Sequence, residues 1–370
     1  MSYSDENVAL CALNKVYGFQ PAAALEKISE AGSAQALCED LPEEMEWARK
    51  ELSRLSELGF RFIGLYDEDY PSPLRECEDP PLGLYLNGSS SPTEIFALRP
   101  MVGIVGTRDI SPYGREWCRK IVEALAAAPV QPCIVSGLAF GADSIAHKSA
   151  LECGLPTVGV MATGIERVYP WQHTDLAMSM VRSPGSGILT DYPLGTCPVA
   201  LNFLRRNRII AGLVRGVIVV ESKSKGGSLM TARYAVDYSR EVYALPGRAD
   251  DLRSAGCNSL IAHNMAQLIT SPEELVGQLG LGAVVRGAGG SWGRGVRALE
   301  RELERLFGAG SAPAAVALAV RDHRGVTADE LAALTGLPIA SVLEGIGLLE
   351  VNGIITTDLL RRCALAPAWA

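Results

Sequence analysis

Six short apolar runs, rich in valine and isoleucine, divide the middle of the sequence. They lie at residues 101–106, 133–136, 157–161, 187–191, 217–221 and 242–245. Helical patterns separate them, at residues 114–128, 142–153, 172–181, 201–213 and 229–239. Continuous apolar strands that alternate with helices indicate a parallel sheet covered by helices on both faces. The sequence therefore predicts an α/β domain, which we place at residues 61–280.

The two ends of the chain have different patterns. Residues 1–60 contain three amphipathic segments, at 8–16, 21–31 and 43–58, which predict a helical N-terminal domain. Seven of the sixteen residues from 280 to 295 are glycine, which predicts a flexible linker over residues 281–296.

Two helical segments, 328–335 and 338–352, and an apolar end predict a small winged-helix-like domain within residues 297–370. The second of these helices has no lysine or arginine, so a packing or partner role is favoured over direct DNA reading.

Charge and cysteine content limit the class of protein. The net charge is −8, but residues 1–60 hold 5 basic and 11 acidic side chains, whereas residues 101–280 hold 17 basic and 15 acidic ones. The nine cysteines form no Cys-x-x-Cys pair, and no apolar run approaches the roughly 18 residues of a membrane span. We expect a soluble cytoplasmic protein with reduced thiols and no metal, cofactor or membrane contact.

Residues 205–233 carry the strongest signal for a binding site. Three arginines, at 205, 206 and 208, precede a buried strand, and a turn of Gly226, Gly227 and Ser228 leads into a helix. Glycines let a ligand approach the backbone, and a helix start presents free N–H groups to an anion. Arginine forks suit phosphate oxygens. No nucleophile with a neighbouring base occurs in this stretch, so it predicts a phosphate-binding turn.

Other predicted strands end in similar turns. Gly106 and Arg108 follow the first strand, although an ordinary strand-end glycine with a surface arginine explains them equally well. Ser136 and Gly137 follow the second strand and offer a possible backbone-amide cradle. Asp143 and His147 lack a third metal ligand, so a structural use of that pair is favoured. Because parallel sheets bind ligands at the carboxyl ends of their strands, these turns predict one shared rim.

Taken in order, the motifs resemble those of the DNA-processing protein A (DprA/Smf) family. The resemblance is dense over residues 60–270 and rests on Tyr70-Pro71, Asp79-Pro80-Pro81, Val105-Gly106-Thr107-Arg108, Ser136-Gly137-Leu138-Ala139, Tyr169-Pro170, Phe203, Arg206-Asn207-Arg208-Ile209-Ile210, Gly227-Ser228-Leu229 and Pro246-Gly247. It implies an extended Rossmann-like domain that binds single-stranded DNA without catalysis and forms a homodimer. It also implies that the protein loads the recombinase RecA during natural transformation, displacing single-strand binding protein or sharing space with it.

The resemblance also assigns a phosphate pocket. Trp171 and His173 stand where family members commonly carry lysine and asparagine, and Trp171 offers a base a stacking surface instead. Leu260 and Ile261 are an apolar candidate for the dimer face, or else they close the core. The complete set of candidate DNA-binding residues is Gly106, Arg108, Ser136, Gly137, Phe140, Trp171, Arg206, Asn207, Arg208, Gly227, Ser228 and Thr231.

Two other functions remain open from the sequence. Related Rossmann-like folds host enzymes that act on nucleotides, but the turn at residues 226–235 lacks the carboxylate that such enzymes need, so we predict no enzyme activity. Alternatively, the acidic first 100 residues could dock a basic protein partner.

Overall fold

The computed structural model describes residues 3–18, 20–282, 299, 302–308, 310–323, 325–357 and 362–365. The chain divides into two compact units, Met1–Val284 and Val285–Ala370. The predicted linker at residues 281–296 lies outside the described residues from 283 onward. The predicted domain boundary between residues 60 and 61 stays a prediction.

A nine-stranded sheet organises the first unit. Its strands are β1 (Arg61–Gly64), β2 (Gly83–Asn87), β3 (Met101–Val105), β4 (Cys133–Ser136), β5 (Thr157–Val160), β6 (Gly187–Thr190), β7 (Gly216–Val219), β8 (Glu241–Ala244) and β9 (Gln267–Leu268). Their order across the sheet is β1-β2-β6-β5-β4-β3-β7-β8-β9. Strands β3 to β9 run parallel to one another, and the antiparallel pair of β1 and β2 extends the sheet because β2 pairs antiparallel with β6.

Helices cover both faces of the sheet. They are α1 (Asp5–Tyr17), α2 (Pro21–Ala31), α3 (Ala34–Leu37), α4 (Pro42–Glu57), α5 (Ser72–Arg75), α6 (Pro92–Phe96), α7 (Pro112–Ala126), α8 (Ala142–Glu152), α9 (Thr174–Arg182), α10 (Ala200–Leu213), α11 (Ser228–Asp237), α12 (Ala255–Ala262) and α13 (Pro272–Gln278). Alternate strand residues divide between two cores, as a pleated sheet requires. Val102 and Ile104 pack with α7, α8 and α13, whereas Met101 and Val105 pack with α10, α11 and the N-terminal helices.

The α/β architecture predicted from the sequence is confirmed. The six predicted strands and the five helices between them all occur, and their ends agree within two residues. The prediction missed β1, β2 and β9. The first two are short strands in a segment dominated by turn signals, and they become strands because they pair with each other and with β6.

The N-terminal helices share a core with the sheet. The amide of Phe62 on β1 donates to the Tyr3 hydroxyl at 3.0 Å, and Asn14 of α1 donates to the carbonyl of Asp191 at 2.8 Å. Leu10 and Leu13 of α1 are fully buried in the same apolar cluster as Tyr85 of β2. The predicted helical region at residues 1–60 is therefore anchored beside the β1–β2 extension.

The second unit contains α14 (Ala312–Asp322), α15 (Ala328–Thr335) and α16 (Ile339–Val351), followed by an antiparallel hairpin of β10 (Ile355–Thr357) and β11 (Cys363–Leu365). Its core includes Val316, Leu331, Val342 and Leu349. The winged-helix assignment stays a prediction. Among the described residues no single helix has the length and hydropathy of a membrane span; α15 and α16 reach them only as a pair bent by 112°.

Candidate functional site

A cleft opens at the point where the order of successive strands across the sheet reverses. The chain passes from β3 to β4 on one side and later returns to β7 on the other side of β3. Helices that lead away from two such strands diverge, so a crevice forms beyond their carboxyl ends. In this protein the crevice has a volume of about 600 Å³ and is lined by the turn after β3, one face of α10 and the turn after β7.

Three exposed cations surround this cleft, which we call the switch cleft. Arg108 follows β3, and Lys223 and Lys225 follow β7. Within the described ranges none of the three forms an ion pair. The Arg108 guanidinium lies over the ring of Phe203 on α10, 5.6 Å from its centre, an arrangement that cation–π attraction favours. The walls of the switch cleft thus carry positive charge that no acidic side chain of the described ranges neutralises by pairing.

The turn after β7 supplies backbone donors. The N–H groups of Leu229 and Met230 donate to the carbonyls of Gly226 and Gly227 at 3.1 Å. The N–H groups of Gly227 and Ser228 have no acceptor in the part of the chain that the structure describes. No side chain caps the start of α11. Free amides at a helix start bind anions, so this turn is suited to a phosphate.

The two glycines of this turn meet different constraints. A Cβ at Gly226 would lie 2.3 Å from the Ser222 hydroxyl, which Ser228 also contacts at 2.9 Å. A Cβ at Gly227 would meet nothing within 4 Å. The fold therefore requires glycine at position 226, whereas position 227 faces open space in the cleft.

Arg206 forms the floor of the switch cleft. Its side chain is almost fully buried, and its Nη1 donates to the carbonyls of Gly137, at 2.8 Å, and of Val160. Burial lowers the pKa of Arg206 to about 10, and the nearby Asp143 opposes that effect. Arg206 therefore keeps its charge at neutral pH and adds to the positive potential of the cleft.

The turn after β4 supports this floor and reaches the cleft through Ala139, whereas Ser136 and Gly137 do not line it. The Ser136 hydroxyl donates to the carbonyl of Ile104 at 2.6 Å. The N–H groups of Gly137 and Ala139 donate to the Asp143 carboxylate at 3.2 and 3.3 Å. Burial raises the pKa of Asp143, and Arg206 opposes that rise. The predicted amide cradle at Ser136 and Gly137 is thus occupied by a carboxylate of the protein itself.

Arg208 points away from the switch cleft. Its Nη2 lies 2.8 Å from Asp191 Oδ2, its Nε lies 3.9 Å from Asp79 Oδ2, and its Nη1 donates to the carbonyl of Asp79. Two residues along a helix correspond to a rotation of about 200°, so Arg206 and Arg208 must face opposite ways. The spacing of the two arginines already contained this information. Between them, Asn207 lines the cleft and donates to the carbonyl of Gly227 at 3.3 Å.

The aromatic side chains near these turns differ in their position relative to the switch cleft. Tyr169 packs against Phe203, with ring centres 5.4 Å apart. Trp171 is 75% exposed and does not line the cleft. Phe140, 43% exposed, contacts His173 edge-on at 4.8 Å and lines a neighbouring cleft. His173 is buried, with Nδ1 2.7 Å from the carbonyl of Leu138, so it stabilises the turn after β4.

The remaining candidate residues have simpler positions. Gly106 lines the cleft, and a Cβ there would lie 2.7 Å from that of Ala142. Thr231 is a buried part of the cleft lining. Leu260 is buried in the core, whereas Ile261 packs only partly against it. His147 is fully buried with Nδ1 2.7 Å from Thr157 Oγ1, and the described residues contain no group of three or more potential ligands placed to hold a metal ion.

The candidate set lacked Lys223, Lys225 and Phe203, although Phe203 is one of the motif residues on which the family resemblance rests. Lys223 and Lys225 stand between the β7 run and the glycine turn, so their position after a predicted strand was a signal for the same rim. Phe203 belongs to the first turn of α10, three residues before Arg206 and on the same helix face. Its position places an aromatic ring beside the cations of the cleft.

These features define a class: an α/β protein with a cationic, amide-lined cleft at the switch point of an extended parallel sheet, a site suited to phosphate groups. The sequence profile of the family described as DNA recombination-mediator protein A matches residues 61–280. The chain belongs to this family, in which the proteins are named DprA or Smf.

Individual relatives agree with this assignment. Protein Smf of Synechocystis sp. is 42% identical over 220 residues, which are 60% of this chain and 54% of the relative, so the chain spans about half the length of this curated relative. The X-ray structure of DprA from Streptococcus pneumoniae is 29% identical and superimposes with a TM-score of 0.60 over 75% of this chain and 99% of that chain.

A second solved structure is DNA processing protein A from Helicobacter pylori. It is 29% identical, with a TM-score of 0.53 over 60% of this chain and 95% of that chain. That structure is described as giving insights into the protein's single-stranded DNA binding mode.

Proposed function

We propose that the switch cleft binds the phosphate backbone of single-stranded DNA. The observation that carries the proposal is the convergence of Arg108, Lys223 and Lys225 on the free amides of Gly227 and Ser228 at one switch point. A repeating phosphate chain would meet both the cations and the amides. The Tyr169–Phe203 pair beside them would stack on bases, whose faces are accessible in single strands. The binding mode described for the Helicobacter pylori relative supports this choice of ligand.

The proposal contains no catalytic step. The carboxylates that line the cleft are Asp109 and Asp143. Asp109 contacts Arg253 at 3.3 Å, and Asp143 accepts hydrogen bonds from two backbone amides. General acid–base catalysis needs a carboxylate that can reach a substrate proton, and both of these have other partners.

Salt-dependent binding tests the proposal. Fluorescence anisotropy of a labelled oligonucleotide should show tight binding that weakens steeply with salt and that duplex DNA competes for poorly. Each phosphate contact with a single strand contributes a slope of about 0.7 log unit of affinity per log unit of salt, so replacing Arg108, Lys223 and Lys225 by alanine should lower the slope by about 2.

The matched control for this experiment is a triple variant of exposed cations outside the cleft. Lys27, Lys50 and Arg54 on α2 and α4 meet this condition. Replacing them removes the same charge and should leave both affinity and slope close to those of the unmodified protein. A slope near zero for the unmodified protein would refute phosphate binding in the cleft.

We further propose that the protein forms a homodimer through the face that includes Ile261. The family resemblance suggests the dimer, and Ile261 is the member of the predicted pair that the core leaves partly uncovered. Sedimentation velocity should give a dimer for the unmodified protein and a monomer for Ile261→Lys. A monomer at all concentrations of the unmodified protein would contradict this part.

Delivery of the bound strand to RecA completes the proposal. On single-stranded DNA coated with single-strand binding protein, RecA polymerises after a lag, and the protein should shorten that lag in a RecA ATPase assay. The cleft triple variant should not shorten it. If the triple variant shortens the lag as much as the unmodified protein does, delivery to RecA does not depend on the switch cleft.

A further inference from the structure

A second cleft adjoins the switch cleft. It has a volume of about 620 Å³ and lies between α7 and α8, on the other side of the turn after β3. Arg108 and Asp109 line both clefts, so the two are continuous across Arg108. None of the candidate residues from the sequence other than Arg108 and Phe140 lies here. We call this second cleft the α7–α8 groove.

The α7–α8 groove carries its own cations. Arg115 and Arg119 stand four residues apart on α7, so they share one face of the helix, and Lys148 faces them from α8. All three are exposed, and in the part of the chain that the structure describes they form no ion pair. Like charges one helical turn apart repel each other, so an anion between them would relieve an unfavourable interaction.

The acidic groups of the groove do not cancel this charge. Asp109 contacts Arg253 at 3.3 Å, outside the groove lining, and Glu152 at the end of α8 is the other carboxylate. Four cationic side chains thus face two carboxylates, one of which is already paired. The protein as a whole has a net charge of −8, so a cationic groove is unusual for its surface.

The shape of the groove favours a chain of phosphates over a single one. Two clefts of about 600 Å³ meet at Arg108, and the Phe140 ring, 43% exposed, offers a stacking face inside the second one. Cations on both sides of a groove, interleaved with an aromatic ring, are typical of sites that follow a single strand.

We propose that single-stranded DNA leaving the switch cleft continues past Arg108 into the α7–α8 groove, where Arg115, Arg119 and Lys148 bind its phosphates. This inference rests on the proposed function and assigns a path beyond it. The groove extends the site so that long strands gain contacts that short strands cannot make.

Oligonucleotide length provides the test. Anisotropy would be measured for strands of about 4 and about 16 nucleotides, the range that single-strand sites span. In the full-length protein, Arg115→Gln, Arg119→Gln and Lys148→Gln would be combined. For the long strand, the triple variant should bind at least tenfold more weakly and its salt slope should fall by about 2, as expected for three phosphate contacts. For the short strand, affinity and slope should stay unchanged.

Each of the following outcomes would contradict the binding of single-stranded DNA in the α7–α8 groove. If the triple variant loses as much affinity for the short strand as for the long strand, the loss is a general effect of charge. The same conclusion follows if the variant that lacks Lys27, Lys50 and Arg54 loses as much affinity as the groove variant. If the unmodified protein binds the long strand and the triple variant binds it with the same affinity, the groove is not part of the DNA path, and the proposal for the switch cleft is unaffected. Failure of the unmodified protein to bind either strand would refute both. Dissociation of an oligomer with unchanged DNA binding would assign the groove to a second copy of the chain.

Discussion

The guanidinium of Arg206 fills the space that a side chain at Gly137 would need. A Cβ at position 137 would lie 2.4 Å from Nη1 of Arg206 and 2.6 Å from its Cζ. The same guanidinium donates to the carbonyl of Gly137 at 2.8 Å and is almost fully buried. It cannot swing aside without losing both of its carbonyl acceptors. Glycine at position 137 therefore serves the placement of an arginine in the floor of the switch cleft.

Gly137→Ala should destabilise the first unit and displace Arg206. Forcing a methyl group into a packed site costs about 1–3 kcal/mol, and moving the guanidinium adds lost hydrogen bonds. Urea unfolding should show the loss of stability, and DNA binding should weaken because the floor of the cleft moves. Unchanged stability would mean that Arg206 has another position that fits equally well.

Gly227→Ala should separate binding from stability. Position 227 has ordinary helical angles and open space around it, so the free energy of unfolding should change by less than about 1 kcal/mol. The added methyl group would stand between a phosphate and the amides of the turn, so affinity for single-stranded DNA should fall. Full affinity in this variant would remove the turn after β7 from the proposed site.

Arg208→Met should reveal a buried ion pair and no binding role. Removing one partner of such a pair leaves an uncompensated charge, here on Asp191, and costs about 3–5 kcal/mol. The double variant with Asp191→Asn should recover part of that loss in urea unfolding. The folded fraction of either protein should bind DNA as the unmodified protein does. A weaker salt slope would instead place Arg208 among the phosphate contacts.

Trp171→Ala should weaken DNA binding through lost stacking. Base–aromatic stacking contributes about 1–3 kcal/mol per base, and Trp171 is 75% exposed two residues after Tyr169, which packs against Phe203 of the switch cleft. Its fluorescence should be quenched when DNA binds, and the quenched component should be absent from the variant. Trp117→Phe, within the α7 packing, is the control and should retain both affinity and quenching. Equal quenching in Trp171→Ala would exclude a stacking role for Trp171.

Stability should fall in acid because of His147. Burial lowers the pKa of His147 from 6.5 to about 3. Below pH 6.5 the imidazole of His147 is protonated in the unfolded chain but stays neutral in the folded chain. The contribution of the neutral imidazole to the free energy of unfolding is therefore complete above pH 6.5 and is lost as the pH falls toward 3. The loss is up to about 1.4 kcal/mol per pH unit. Urea unfolding of His147→Gln between pH 7 and 5 should show a shallower pH dependence; identical slopes would contradict it.

Local patterns were sufficient for most of the architecture. The six apolar runs and the helical periods between them each depend on residues close together in the sequence, and each appears in the structure within two residues. The β1–β2 hairpin was missed because its strands are four and five residues long and depend on pairing with β6, about 100 residues away. Strand β9 has two residues and owes its existence to β8.

The sequence by itself determined the fold class and the edge of the sheet at which the switch cleft lies, because buried parallel strands and glycine turns are local signals. Only the tertiary structure decided which residues share the cleft. In the folded protein Arg206 points into the floor of the cleft, whereas Arg208 pairs with Asp191. Asp143 accepts hydrogen bonds from the amides after β4, and Leu260 is buried. The tertiary structure also placed Lys223 and Lys225 in the same cleft as Arg108. These outcomes depend on contacts between residues far apart in the chain, which no local pattern encodes.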